Sequence, residues 1–514
     1  MSLAARAGEL FMIGFRGAAP EDVPEGFLRA EGVGGVILFA RNLVSPEQAR
    51  RLTDRIQSCS AGLPLLIATD QEGGIVLRLS ATPWPGAMSL GAAGCTALTE
   101  RVGAGIAREL RAMGINMNLA PVLDVNVNPA NPVIGVRSFG SDPGRVAEHG
   151  AAYIRGHQAE GVLTTAKHFP GHGDTAVDSH LALTHVPHGM ERLEAVELLP
   201  FRRAIAAGVD AVMTAHVAFP AVEPEPDVPA TLSPAVLTGL LRERLGFDGL
   251  IITDCMEMKA IADHVGTAEG AVRAIAAGAD LVLVSHREEV QREAIAAVRS
   301  AIESGRIPAQ RVEEALRRVR AARERVARHG QAGDPAVVGG PDHRALAAEA
   351  AAAAITAVGN LDDVLPVRPE RTLLLAVDPT PVVEVEEREP TGSPVLRAAA
   401  ELAPGMRAAG VRREPGPGEV ERLVAESAEA DLVVVATYLA QRFPGQVALV
   451  RALVAAGRRV LLVPQRGPYD LLAVPGVAGA VVMYEDHRLA AEAALRCLLG
   501  QAPAPGRLPV ALSQ

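Results

Sequence analysis

The first 290 or so residues alternate short apolar runs with longer segments of helical period. The runs are LFMIGF (10–15), GGVILFA (34–40), PLLIATD (64–70), NMNLAPVLDV (116–125), VLTTAKHF (162–169), VDAVMTAHVA (209–218), DGLIITD (248–254) and ADLVLVS (279–285). They are rich in Val, Ile, Leu and Thr and show little strict alternation, as strands covered on both faces do. The intervening segments, such as EQARRLTDRIQS and GRVAEHGAAYIRGHQAEG, carry apolar residues at helical spacing. Buried strands alternating with helices predict an α/β fold, an N-terminal (β/α)8 TIM-like barrel. A doubly wound open sheet fits the same pattern, because periodicity does not report closure.

Most runs end in a polar residue: Arg41 and Asn42, Asp70, Asp124, Lys167 and His168, His216, Asp254, and Ser285 with His286. In a parallel barrel these ends share the face that holds the active site. Asp124 is read more simply as a helix cap or a satisfied loop residue. Around residues 328–342 the pattern breaks into Gly and Pro, the mark of a linker. A second alternation follows, in RTLLLAVD (371–378), DLVVVATY (431–438), RRVLLVPQ (458–465) and GAVVMYE (479–485). The expected division is a catalytic barrel over 1–330, a linker over 331–345 and a smaller α/β sandwich domain over 346–514. The second domain has no GxGxxG after a strand and no Walker loop, so no nucleotide site is expected there.

Composition adds exclusions. Of 514 residues, 49% are hydrophobic and 21% charged, which gives ample core. A formal charge of −10 and the lack of a basic stripe argue against nucleic acid and anionic membranes as partners. No apolar stretch reaches the roughly 18 residues of a membrane helix. The apolar start of the chain is short and broken by Glu9 and Arg16, a poor match to a secretory signal. Cys59, Cys95, Cys255 and Cys497 lack metal-type spacing. A cytoplasmic location is the expectation.

The chemistry concentrates in AKHFPGHGDTAVDSH (166–180). Lys167 is one of two lysines in the chain, and five of its thirteen histidines lie between His168 and His188. A position that stays Lys in an Arg-rich chain suggests a need for a narrow point donor over a wide fork. His168 and His172 have metal-type i, i+4 spacing only on a helix, and Pro170, Gly171 and Gly173 oppose one. Asp178 and His180 suit an acid–base pair, the carboxylate fixing the imidazole tautomer; a plain surface Asp-x-His is the alternative. Asp254 ends a strand at the barrel mouth, where a carboxylate could attack an anomeric carbon. It could equally cap a helix starting near Met256.

KHFPGHGDT (167–175), DSH (178–180), DQEGG (70–74), APVLDVNVNPANPVIGVRSFG (120–140) and ITDCMEM (252–258) together resemble glycoside hydrolase family 3. Within it they look like the bacterial β-N-acetylglucosaminidases, and GRLPVAL (506–512) resembles the end of the second domain in longer members. The resemblance implies a retaining hydrolase with Asp254 as nucleophile and His180, paired with Asp178, as proton donor and later base. It implies that Asp70, Arg137, Lys167 and His168 bind the sugar being cleaved, with no metal or organic cofactor. The implied substrate is a small GlcNAc-containing carbohydrate, a muropeptide or chitooligosaccharide; a β-glucoside or a phosphorolytic reaction is the alternative. Ile75 stands where many relatives carry arginine, with Arg78 following. The second domain contributes a loop to the cleft in some longer relatives, and no residue here is assignable to that task from sequence.

Overall fold

The computed structural model describes residues 2–179, 182–330, 333–382, 386–387, 392–474 and 476–512. In chain order its strands are β1 (Phe11–Ile13), β2 (Gly35–Leu38), β3 (Leu66–Thr69), β4 (Met117–Asn118), β5 (Leu163–Phe169), β6 (Thr184–His185), β7 (Ala211–Thr214), β8 (Val217–Ala218), β9 (Leu250–Cys255) and β10 (Leu281–Val284). The second set is β11 (Thr356–Val358), β12 (Thr372–Val377), β13 (Arg407–Val411), β14 (Leu432–Ala436), β15 (Val460–Leu462) and β16 (Gly479–Val482).

The first set closes into a parallel barrel in the order β1-β10-β9-β7-β5-β4-β3-β2. Each apolar run read from the sequence contains one barrel strand. Closure is made by β1 against β10, with Phe11 opposite Val282, and this decides against the open sheet. One side-chain set, including Met12, Ile37, Leu66, Met117, Leu163, Met213, Ile252 and Leu283, forms an apolar cluster of its own. The alternate residues, such as Phe11, Val36, Ile67, Val212, Ile251 and Val282, belong to the larger cluster that the helices join. Strands apolar on both faces are the cause of the continuous runs. Outside the barrel, β6 and β8 pair, tying the long loop after β5 to the loop after β7.

The second sheet runs β11-β16-β15-β14-β12-β13, with β11 antiparallel and the other pairings parallel. Its four longer apolar runs are β12, β14, β15 and β16. The chain steps from β12 to β13 on one side and then to β14 on the other. The carboxyl ends of β12 and β14 therefore flank a switch point, where open α/β sheets form their crevices. The two parts are knitted together. Ile75, Val76, Met88 and Val136 share an apolar cluster with Leu375, Val435, Leu462 and Tyr469. Ser141 N donates to Pro509 O at 3.0 Å and Arg507 N to Ala92 O at 2.9 Å, so the GRLPVAL segment returns to the barrel. All four cysteines are free. Among the described residues no helix is long and apolar enough to cross a membrane.

Burial holds three histidines neutral. His149 and His172 are pushed down to about 4 and His157 to about 3. His157 shows how the neutral ring is used: Nδ1 stands 3.1 Å from Tyr153 O and Nε2 3.0 Å from Asn118 Nδ2, one donating and one accepting. Unfolded histidine titrates near 6.5. Between about pH 6.5 and 4 the unfolded chain therefore binds protons that the native chain refuses, and stability rises with pH across that window. At about 1.4 kcal/mol per pKa unit, His149 and His172 are each worth at most roughly 3 kcal/mol and His157 at most roughly 5 kcal/mol. The melting temperature is expected to fall steadily from pH 7 to pH 4.5; a flat profile over that range would contradict these burials.

Candidate active site

A pocket of about 210 Å³ opens at the carboxyl ends of the barrel strands. That is smaller than the ~300–1,000 Å³ of sites for drug-sized ligands and suits one sugar ring. Its lining includes Asp70 after β3, Lys167 and His168 in β5, Met213 in β7, Asp254 in β9, His286 after β10 and Arg137 from the loop after β4.

Strand β5 delivers Lys167 into two carboxylates. Its Nζ lies 2.7 Å from Asp70 Oδ1 and 2.7 Å from Glu72 Oε1. Arg137 grips Glu72 with both arms of its fork, Nε to Oε2 at 2.9 Å and Nη2 to Oε1 at 2.8 Å. Arg78 Nη2 reaches Asp70 Oδ2 at 3.2 Å. These groups are nearly excluded from water. Burial alone would push Asp70 and Glu72 up, but Lys167 with Arg78 brings Asp70 below its ordinary value, and Arg137 with Lys167 does the same for Glu72. Burial opposes the charge on Lys167 too, and the two carboxylates raise its pKa regardless. The result is a fixed set of ionised acceptors and donors at the pocket wall.

The DQEGG turn is possible because glycine follows Glu72. Gly73 has φ +99°, and a Cβ there would sit 2.2 Å from Pro85 O. On the other wall, His168 Nδ1 is 2.7 Å from Asp124 Oδ2, which orients the ring and leaves Nε2 as its second polar atom. Asp124 is fully buried and also accepts from the backbone N–H of His172 at 2.6 Å. It is thus a satisfied loop residue and caps no helix. Asp254 is half-buried, and its Oδ1 accepts from Cys255 N at 2.7 Å. The next helix begins only at Lys259 with Met258 as its cap, so Asp254 is not a capping residue. The adjacent Cys255 thiol, 2.9 Å from Ser285 Oγ, is pushed up to about 12 by burial and forms inert wall.

Of the residues named from sequence, Asp254, Asp70, Arg137, Lys167 and His168 meet at this pocket. Asp178 does not line it. It is buried in the loop beyond β5, close enough for its charge to act on Arg442. His180 lies outside the described residues. Neither i, i+4 histidine stands on a helix. His168 belongs to β5, and His172 has both ring nitrogens in hydrogen bonds, to Thr175 and Ser179. Asp174, His188 and Glu197 bring ligand-type atoms within 4.8 Å of one another. Arg192 already stands 3.3 Å from Glu197 and 3.9 Å from Asp174, supplying a cation to both carboxylates.

Sequence reasoning passed over Glu72 and Glu387, and it noted Arg78 without giving it a role. Ile75 packs into the apolar cluster shared with the second sheet, and Arg78, not position 75, turns to Asp70. Glu387 comes from the loop after β12. Its neighbour Glu386 is fully buried, with Oε1 accepting from Arg466 Nη1 at 2.7 Å. This carboxylate anchors the loop, and Glu387, at φ +31°, reaches over to the barrel pocket. There its Oε2 accepts from Ala40 N at 2.9 Å and lies 3.6 Å from Arg78 Nη1. The second sheet thus contributes a carboxylate to the cleft, held as an acceptor.

Residues 2–322 match the glycosyl hydrolase family 3 N terminal domain. A solved glycoside hydrolase family 3 β-N-acetylglucosaminidase from Paenibacillus sp. is 42% identical with a TM-score of 0.94, covering 100% of this chain and 99% of that one. A β-N-acetylglucosaminidase/β-glucosidase of Cellulomonas fimi is 33% identical over 541 residues, 98% of this chain and 93% of that relative. A β-hexosaminidase A of Pseudoalteromonas piscicida is 38% identical over 364 residues; the match spans 65% of this chain but only 61% of that relative's length. The chain belongs to glycosyl hydrolase family 3.

Proposed function

We propose that this enzyme is a retaining β-N-acetylglucosaminidase that removes terminal GlcNAc from small fragments such as those of peptidoglycan, in the cytoplasm. The observation that carries the reading is the placement of Asp254 in the same one-sugar pocket as Asp70, Lys167, His168 and Arg137. The Paenibacillus relative is a β-N-acetylglucosaminidase, and the Cellulomonas fimi relative acts on both the acetamido sugar and the β-glucoside, which supports the acetamido sugar as the substrate common to both.

In this reading Asp70 and Glu72, kept ionised by Lys167, Arg78 and Arg137, accept from sugar hydroxyls, while Lys167 and His168 present donors. The Asp254 carboxylate attacks C1 and forms a glycosyl ester as the C1–O bond breaks. His180, its tautomer held by Asp178, gives its proton to the departing oxygen. Water then loses a proton to His180, attacks C1 and frees Asp254, so the sugar leaves with its original configuration. Glu387, at the outer rim, would meet the group beyond the cleaved bond.

Rates on an aryl β-N-acetylglucosaminide and the matching β-glucoside, each with and without phosphate, test this. The acetamido sugar is expected to react at least ~10-fold faster in kcat/KM, a difference of about 1.4 kcal/mol, with no acceleration by phosphate. Preference for the glucoside, or a sugar phosphate as product, would overturn the substrate or the acceptor.

A further inference from the structure

The pocket mouth is built from two unlike arcs. Asp70, Arg137, Lys167 and His168 come from β5 and from the segments after β3 and β4, and the proposed reading gives them the sugar hydroxyls. The ends of β10, β1 and β2 make the other arc, where Phe39, Ser285 and His286 line the pocket. Asp254, in β9, stands next to this second arc. With C1 at Asp254 and Glu387 reaching in beside Ala40, the second arc is the side left for the group beyond the cleaved bond.

Arg41 is fixed on that arc. It sits in the single turn Ala40–Asn42, just after β2. Asn42 is fully buried and pins the turn. Its Oδ1 accepts from Phe39 N at 3.0 Å, and its Nδ2 donates to Phe15 O at 3.2 Å and to Gly17 O at 2.7 Å. The Arg41 guanidinium donates from Nε to Phe15 O at 3.2 Å and from Nη2 to Ser285 O at 2.9 Å. Its Cζ lies 4.3 Å from the centre of the Phe39 ring, and the His286 ring packs 5.4 Å from the same centre. One edge of the fork is thus engaged by uncharged main-chain carbonyls. The Nη1 end has no partner among the described residues. A fork already held in place loses little freedom when it takes a ligand.

The charges around it do not cancel. Among the described residues no carboxylate comes within ion-pair distance of Arg41. Glu387 acts on its charge from farther off, because Glu387 Oε2 accepts from Ala40 N and lies 3.6 Å from Arg78 Nη1. Glu257 is engaged by Ser285 N, His286 N and Arg287 Nε. Arg16 is exposed nearby and adds a positive charge that acts on both Arg41 and His286. A chain with a formal charge of −10 therefore concentrates positive charge at one side of its pocket mouth.

We infer that Arg41 is a specificity-determining residue that receives a carboxylate carried by the leaving group. A planar fork matches a carboxylate, and a charge-assisted contact is roughly twice as strong as one to a neutral hydroxyl. The inference rests on the proposed reading of this pocket as the seat of the cleaved sugar.

The test compares two aryl β-N-acetylglucosaminides, one with a para-carboxymethylphenyl and one with a para-carbamoylmethylphenyl leaving group. The methylene keeps the two phenols similar in acidity, so the ratio of their kcat/KM values reports the carboxylate contact. The parent is expected to favour the acid about 10-fold, the size of one hydrogen bond to a charged group. The preference should nearly vanish in Arg41→Gln. It should also shrink in the parent at about 0.5 M salt, which screens an exposed charge. The ratio is internal to each preparation, and the salt series needs no variant, so a poorly folding Arg41→Gln does not block the test. Equal rates on acid and amide in the parent, a preference that salt leaves unchanged, or one that survives Arg41→Gln would overturn the role of Arg41. If neither acetamido substrate is hydrolysed while the matching β-glucosides are, the substrate reading fails and takes this inference with it. If both are hydrolysed without preference, only this inference fails.

Discussion

Asp254→Asn is expected to lower kcat on an aryl β-N-acetylglucosaminide by roughly 10³-fold or more, about 4 kcal/mol of barrier. The amide keeps the shape of the carboxylate and its contact with Cys255 N, so the melting temperature should stay near that of the parent. KM should change little, because the proposed reading assigns sugar binding to Asp70, Lys167, His168 and Arg137. An Asp254→Ala variant leaves space beside C1. Azide should restore turnover there and give the α-glycosyl azide, the product of one displacement instead of two. A loss of less than about 10-fold in Asp254→Asn would be inconsistent with covalent catalysis from this position.

The second large effect is structural and falls on Glu72, a residue with no expected role before the fold was known. Glu72→Ala is expected to destabilise the barrel by about 3–5 kcal/mol, because it leaves Lys167 and Arg137 buried with one carboxylate fewer. Three contacts between 2.7 and 2.9 Å are lost at once. Glu72→Gln, which keeps the shape but not the charge, should fall between. The reading is the midpoint of the first urea transition. A shift worth less than about 1 kcal/mol would show that water enters and solvates the two cations. Sugar affinity should fall with stability, since the same carboxylate holds Arg137 and Lys167 at the pocket wall.

The barrel was legible because each strand is buried on both faces and so reads as an unbroken apolar run. Only its closure needed the structure. In the second sheet the same signal marks β12, β14, β15 and β16. It misses β13, whose sequence RAAGV lies exposed at the edge, and β11, three residues directly after an alanine-rich helix. The pocket was legible where side chains sit at strand ends, as Asp70, Lys167, His168 and Asp254 do. Glu72 was hidden because its role depends on two cations, at positions 137 and 167, that chain spacing does not bring near. Asp124 was legible as a satisfied loop residue or a cap, but the partners that decide for the first, His168 and His172, lie more than forty residues on. Glu387 was out of reach for the same reason: its place in the cleft depends on Glu386 finding Arg466 across the second sheet. Asp178 and His180 were expected as a pair from the sequence, and the described residues include only the first.

The most direct test of the account is to trap the intermediate. The enzyme would be incubated with a fluorinated, slowly hydrolysed N-acetylglucosaminyl donor, digested, and the labelled peptide sequenced by mass spectrometry. The account predicts one sugar per chain, attached to Asp254 within ITDCMEM. A label on any other residue, or steady turnover of the donor with no labelled peptide, would contradict it.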